Sequence, residues 1–432
     1  GYINRTVTPT SRHSKVYFTE YLPKAVERPP LAGATIDEYH AKGVSPIRPS
    51  ASVSKSVVPM SDYRPRLLIN ALSVTFGGGL SYVANLIREL ERDDRGFEVT
   101  VLVPSGPLAE MDLEHVSLRV IQTPEIPRSI ARIWRVLYEL LRVPRIAREY
   151  DLLYCIGDIS SPLTPVPTVV ALVTLNAYDR RFYDTLRLRT LGFLARIGLR
   201  YAARIIFPTA AARDQIARLI ELPPDRSSVV PHGISADAFE EVAPESAARP
   251  YVFVPAAIER HKNLEALIQS LPQVADPELE IWIAGSAETD PEYAAELRAL
   301  VAQLGVGERV RFLGAVPYSK ILRYYRGAEA LVFPSRLETF GFPIVEAMLA
   351  GTPIVASDIP TFRELAGDAA RFFPPTDPIE LARAIDEIQT DPGGVQQRVA
   401  IGRERVKALS WENSIDALSN VLRAAFEESR EK

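Results

Sequence analysis

From Arg66 onward, apolar residues follow two alternating rhythms. Short, nearly continuous apolar runs such as "RLLINAL", "FEVTVLVP", "DLLYCI", "TVVALVTL" and "RIIFPT" read as buried strands. Between them lie stretches with apolar positions at helical spacing. In "LSYVANLIRELER" these are Leu80, Val83, Leu86, Ile87 and Leu90. Near Tyr251 the alternation restarts. "YVFVPA", "LEIWIAG", "VRFLGAV", "EALVFPS" and "TPIVAS" read as strands. "NLEALIQSLPQV", "PEYAAELRALVAQLG", "SKILRYYRGA", "PIVEAMLAG" and "PIELARAIDEIQ" read as helices. Strands alternating with helices predict βαβ units, parallel sheets and right-handed crossovers. The Pro- and Ala-rich segment "SVVPHGISADAFEEVAPESAARP" separates the two series as a hinge. The fold class is therefore α/β, with two Rossmann-like doubly wound domains facing across a cleft. Ligands of such sheets bind outside the carboxyl ends of the strands.

Residues 1–60 break this rhythm. They are rich in Pro, Ser, Thr and Lys, with poor apolar periodicity, and read as an extended arm or linker. Both a remnant of an upstream segment and a docking arm fit that reading. The predicted divisions are the arm 1–60, an N-terminal domain 61–243, a C-terminal domain 244–410 and a last helix in 411–432.

Composition narrows the classes. At roughly 150 residues per domain, 432 residues suit two large domains or three small ones. Hydrophobic content of 47% and charged content of 24% exclude a wholly disordered or collagen-like chain. A net charge of −4 argues against non-specific nucleic-acid binding. The lone cysteine, Cys155, excludes an intramolecular disulfide and suits a reducing, cytoplasmic setting. His13, His40, His115, His232 and His261 lie far apart, so no metal site is expected. There is no run of about 18 apolar residues and no secretory leader pattern. A chain beginning at Gly1 reads as a fragment or a processed form.

The stretch "PSRLETFGFPIVEAMLAGTPIVASD" carries the strongest chemical signal. Seven residues separate Glu338 from Glu346. Pro343 suits a first helical turn and Gly351 the position that ends the helix. The loop Thr339, Phe340, Gly341, Phe342 thus presents backbone N–H groups at a helix N-terminus, where phosphate or a sugar hydroxyl is favoured. Glu346, read into the first turn, can accept the paired hydroxyls of a ribose diol. Taken alone it reads first as a charge complementing the helix dipole, and the ligand reading rests on the whole constellation. Lys262 precedes a second helix and can neutralise a diphosphate as a point charge. Gly77, Gly78 and Gly79 allow a ligand close to a third helix start, or make a plain tight turn. Gly233, after His232, allows another tight turn.

These motifs make the sequence similar to the retaining family 4 glycosyltransferases of GT-B architecture, over about residues 66–428. The resemblance implies that Glu338 contacts the donor sugar, Glu346 the nucleotide ribose, and the amides of Phe340, Gly341 and Phe342 the sugar and diphosphate. It implies that the Gly77–Gly79 loop lies beside the donor phosphate and the acceptor. His232 stands where the family has Asn or His before Gly. Two departures stand out. The family's Gly-Arg pair is Ala256-Ala257 here, which leaves Arg260 or His261 to supply the second cation beside Lys262. The family's His in the N-terminal domain is replaced by Asn176, followed by Asp179, Arg180 and Arg181. Asn hydrogen-bonds a hydroxyl but is no general base.

The implied activity is metal-independent transfer of a hexose-type sugar from a nucleotide diphosphate sugar to an acceptor hydroxyl, with retention, in polysaccharide or glycan assembly. No cofactor beyond the donor is implied. The acceptor would be a glycan, a lipid-linked glycan or a protein, and the last helix would cross back onto the N-terminal domain. The alternatives are a non-catalytic nucleotide-sugar sensor or scaffold, and an epimerase or phosphorylase of the same architecture. Finally, Arg128, Arg132, Arg135, Arg142, Arg145 and Arg148 lie in one amphipathic stretch, and Arg187, Arg189, Arg196, Arg200 and Arg204 in another. Such basic helices suit peripheral contact with the inner membrane face, or are an ordinary solvated surface.

Overall fold

The computed structural model describes residues 63–431, apart from 76, 158, 176–177, 180, 183–184, 237–238 and 240–241. The arm read over 1–60 lies outside the described residues. The first sheet holds β1 (Arg66–Asn70), β2 (Glu98–Pro104), β3 (Ser117–Ile121), β4 (Leu152–Ile156), β5 (Thr168–Ala171), β6 (Arg204–Phe207) and β7 (Ser227–Val229). Its order is β3-β2-β1-β4-β5-β6-β7, and every pairing is parallel. Helices α1 (Gly77–Arg92), α2 (Arg128–Leu141), α3 (Leu186–Tyr201) and α4 (Ala210–Ala217) accompany it.

The second sheet holds β8 (Tyr251–Pro255), β9 (Glu280–Ala284), β10 (Val310–Gly314), β11 (Ala330–Phe333), β12 (Ile354–Ser357) and β13 (Ala370–Phe373), in the parallel order β10-β9-β8-β11-β12-β13. Around it lie α5 (Leu264–Ser270), α6 (Pro291–Leu304), α7 (Tyr318–Gly327), α8 (Phe342–Ala350), α9 (Pro360–Ala366), α10 (Pro378–Thr390) and α11 (Pro392–Val406), and α12 (Trp411–Arg430) closes the chain.

The central strands are apolar because both sheet faces are covered. All five residues of β4, "LLYCI", are buried. In contrast, edge strand β3 is largely exposed, so its residues "SLRVI" carry no continuous apolar run. β3, the three-residue β7 and β13 were all missing from the sequence reading for this kind of reason.

Each sheet reverses strand order once, between β1 and β4 and between β8 and β11. A crevice opens at the carboxyl ends of the strands beside such a reversal. In the second sheet its walls are the loops after β8 and after β11, which carry Lys262 and Glu338. The last helix joins the other core. Trp411, Ile415, Leu418, Leu422 and Ala425 are buried in one cluster with Leu67, Ile69, Val83 and Leu86.

Candidate donor site

The loop after β8 ends in a tight turn, Arg260–Lys262. Buried Asn263 then adopts the left-handed conformation at φ 58° and turns the chain into α5. Its side-chain amide donates to the carbonyls of Pro334 (3.0 Å) and Pro375 (2.9 Å). The Arg336 amide donates to the His261 carbonyl at 2.8 Å. These bonds bind the two crevice loops to each other. Lys262 Nζ consequently lies 2.6 Å from Glu338 Oε1, with the two side chains only 16% and 14% exposed.

Beyond Glu338 the loop enters α8. Gly341 caps the helix at φ 125°, and a Cβ there would sit 3.1 Å from the Phe362 ring. Glycine meets both demands. Gly351 ends α8 at φ 73°. Pro343 lies in the first turn, but Glu346 falls in the second, so it is not placed to complement the helix dipole. The first-turn amides of a helix lack intrahelical partners. A second helix start lies beside this one: a Cβ on Gly78, in the first turn of α1, would be 3.6 Å from Phe342 Cδ2. Two positive helix ends thus lie side by side, an arrangement that favours an anion, and the Lys262–Glu338 pair lies in the loops beside them.

The same loop is anchored to the N-terminal domain. Thr339 Oγ1 donates to the Val173 carbonyl at 2.9 Å, and Thr209 Oγ1 donates to the Thr339 carbonyl at 2.8 Å. Glu364 accepts from the amides of Ala210 and Ala211 at 2.8 and 2.7 Å, capping α4 from across the cleft. Leu337 is buried in the N-terminal core. Sequence reading missed Thr209 and Glu364, because their partners lie more than a hundred residues away.

Glu346 is held by two phenols from α7. Tyr318 Oη donates to Oε1 at 3.0 Å and Tyr325 Oη to Oε2 at 2.7 Å. Burial pushes its carboxyl up to about 7, partly offset by these hydrogen bonds, which favour the ionised form.

Other sequence candidates take different places. Arg260 forms a bidentate pair with Glu296 at 2.9 and 2.7 Å and lies over the Tyr293 ring. His261 is buried, and burial followed by the nearby Lys262 charge pushes its pKa down to about 4. It is neutral near pH 7, so it supplies no second cation there. His232 is pushed down to about 3 by burial. Its ring stacks parallel to Phe342 at 5.4 Å and meets Phe340 at 5.0 Å and Tyr82 at 4.4 Å. It packs against the loop that enters α8 as a neutral aromatic.

Gly233 serves packing: a Cβ would lie 2.6 Å from both Cα and Cδ2 of Trp411. Gly233→Ala should lower unfolding stability by about 1–3 kcal/mol through this overlap. Chemical denaturation measures it, and unchanged stability would show that α12 yields at no cost. Asn176 and Arg180 lie outside the described residues. Asp179 is buried and accepts from Arg181 Nε at 3.0 and 2.9 Å. Among the described residues no group of three or more His, Cys, Asp or Glu is placed to hold a metal.

The chain is similar to known glycosyltransferases in sequence and in fold. The family model "Glycosyltransferase Family 4" matches residues 76–238, and "Glycosyl transferases group 1" matches residues 236–405. The chain is 27% identical over 206 residues to the O-antigen chain mannosyltransferase RfbU of Salmonella typhimurium, covering 48% of this chain and 56% of that protein. It is 27% identical over 250 residues to D-inositol 3-phosphate glycosyltransferase 1 of Catenulispora acidiphila, covering 53% and 59%. The chain thus spans little more than half the length of these curated relatives.

In fold it is similar to sucrose-phosphate synthase from Thermosynechococcus elongatus, with a TM-score of 0.68, 20% identity and coverage of 84% of this chain and 100% of that one. It is also similar to Anabaena HepE in complex with UDP and glucose, with a TM-score of 0.66, 18% identity and coverage of 84% and 100%. Two all-parallel sheets and family models that together match residues 76–405 lead to one assignment. The chain belongs to glycosyltransferase family 4 and has the GT-B architecture.

Proposed function

We propose that the chain transfers a hexose-type sugar from a nucleotide diphosphate sugar to an acceptor hydroxyl with retention of configuration. The observation that carries this reading is the Lys262–Glu338 pair at 2.6 Å beside the N-terminus of α8. When donor enters, Lys262 and the amides of Gly341 and Phe342 balance the diphosphate. Glu338 then orients the sugar hydroxyls, and Glu346 takes the ribose diol. The acceptor oxygen bonds the anomeric carbon on the face from which the phosphate oxygen leaves. That departing oxygen receives the acceptor's proton, so no protein base is needed. The test is a panel of UDP-, GDP-, ADP-, CMP- and dTDP-sugars, scored by thermal shift and donor hydrolysis, with and without EDTA. One donor should stabilise the protein and turn over slowly, with EDTA making no difference. Binding without turnover at any acceptor would favour the sensor reading.

The acceptor in this reading is a lipid-linked glycan met at an anionic membrane. Helix α2 leaves Ile130, Ile133, Leu137 and Leu141 about half exposed or more, and α3 leaves Leu186 and Phe193 exposed. Arg187 is held below the usual arginine range, first by partial burial and then by the charges of Arg132 and Arg135. Apolar side chains beside clustered arginines match an anionic lipid surface. No helix among the described residues is long and apolar enough to cross a membrane. Co-sedimentation should capture the protein on vesicles containing phosphatidylglycerol but not on pure phosphatidylcholine, and Ile133→Asp/Leu137→Asp should reduce capture about tenfold or more. Equal capture by both vesicle types would remove the membrane from the account.

A further inference from the structure

We propose that Tyr318 and Tyr325 form a cradle that turns Glu346 into a selector for ribonucleotide over 2′-deoxyribonucleotide donors. The inference rests on the donor-site reading above and names a specificity within it. An ionised carboxylate offers about four acceptor positions, two on each oxygen. Tyr318 fills one on Oε1 and Tyr325 fills one on Oε2. Each oxygen has capacity for one further donor, and a cis-diol supplies two. A 2′-deoxyribose offers one hydroxyl and leaves the other oxygen short of a partner, a costly state for a carboxylate out of water.

The two phenols divide the work. Tyr325 is fully buried, with its ring packed against Phe253 at 5.2 Å, so its hydroxyl is a fixed stop for the carboxylate. Tyr318 begins α7, seven residues earlier and two helical turns away on the same face. It is only partly buried and closes the outer side. Among the described residues, the groups that act on the Glu346 charge, after burial itself, are Tyr325 and Tyr318. Because burial raises the Glu346 carboxyl to about 7, a diol that needs the ionised form should be bound with release of a proton at lower pH. The ribose preference should therefore grow as pH rises toward and through 7, then level off. Removing either phenol takes away a hydrogen bond that favours the ionised form, so the rise should move to higher pH. Donors built on thymidine diphosphate, which lacks the 2′-hydroxyl, should be discriminated against.

The experiment measures Kd for UDP, GDP and ADP, each against its 2′-deoxy form, from pH 5.5 to 9. The ratio of the two values cancels phosphate ionisation and any general loss of affinity. In the unaltered protein the best-binding base should show a preference of about 10- to 100-fold at pH 8. Tyr325→Phe should shrink the preference near pH 7 and shift its rise upward by about one pH unit, and Tyr318→Phe should do the same to a smaller extent. Both changes remove a single oxygen, so the aromatic packing is kept. Glu346→Gln separates the two levels of the argument. If Glu346→Gln abolishes the preference while both tyrosine variants keep the original ratio and pH course, the cradle is refuted and the donor site stands. If Glu346→Gln keeps the preference, or the unaltered protein shows none, the ribose assignment itself falls and the cradle with it.

Discussion

Glu338→Gln lowers sugar transfer about 10- to 100-fold, the cost of losing charge-assisted hydrogen bonds to a sugar hydroxyl. The change is nearly isosteric, so the loop should hold its path. The loop's main anchors are backbone or belong to other side chains: Thr361 Oγ1 on the Glu338 carbonyl at 2.9 Å, Thr339 on Val173, and Thr209 on Thr339. The fall should appear in kcat more than in nucleotide affinity, because the sugar is where charge develops. Steady-state kinetics with the donor selected by the panel separates the two. Near-normal turnover in a folded variant would remove Glu338 from the donor-sugar position.

Lys262→Ala should be more damaging still. In the proposed donor site its ammonium balances the diphosphate, since Arg260 is engaged with Glu296 and His261 is neutral near pH 7. Removing one preorganised stabiliser of developing charge costs about 10²- to 10³-fold in rate. A second penalty follows from the free protein. Glu338, 14% exposed, loses its counter-ion and then faces an anionic donor. Breaking one side of a largely buried pair costs up to about 3–5 kcal/mol. Lys262→Ala/Glu338→Gln should therefore unfold at a higher temperature than Lys262→Ala alone, while remaining inactive. A double-mutant cycle on unfolding free energy measures this coupling. Strict additivity would show that the 2.6 Å pair carries no weight in the free protein.

What could be read from the sequence follows from how local each cause is. Strands buried on both faces, such as "LLYCI" and "EIWIA", announce themselves as apolar runs. β3 and β13 do not, because an edge position asks less burial of them. The stretch from Glu338 to Gly351 announced the start and end of α8, since a helix with Gly341, Pro343 and Gly351 is written in one short segment. The partners that give those residues their properties are distant. Tyr318 and Tyr325 reach Glu346 from 28 and 21 residues upstream. Glu296 takes Arg260 from 36 residues downstream. Gly233 read as a tight turn, and its contact with Trp411 is one that sequence alone does not bring near. Chemistry carried by one segment was legible, whereas chemistry made by tertiary contact was not.

The most direct measurement is the structure of the protein with the nucleoside diphosphate that its donor panel selects. The account predicts the β-phosphate within hydrogen-bond reach of Lys262 Nζ and the Gly341 and Phe342 amides, and the ribose diol on Glu346. A nucleotide bound elsewhere, or one that leaves Lys262 paired with Glu338 and touches neither, would contradict it.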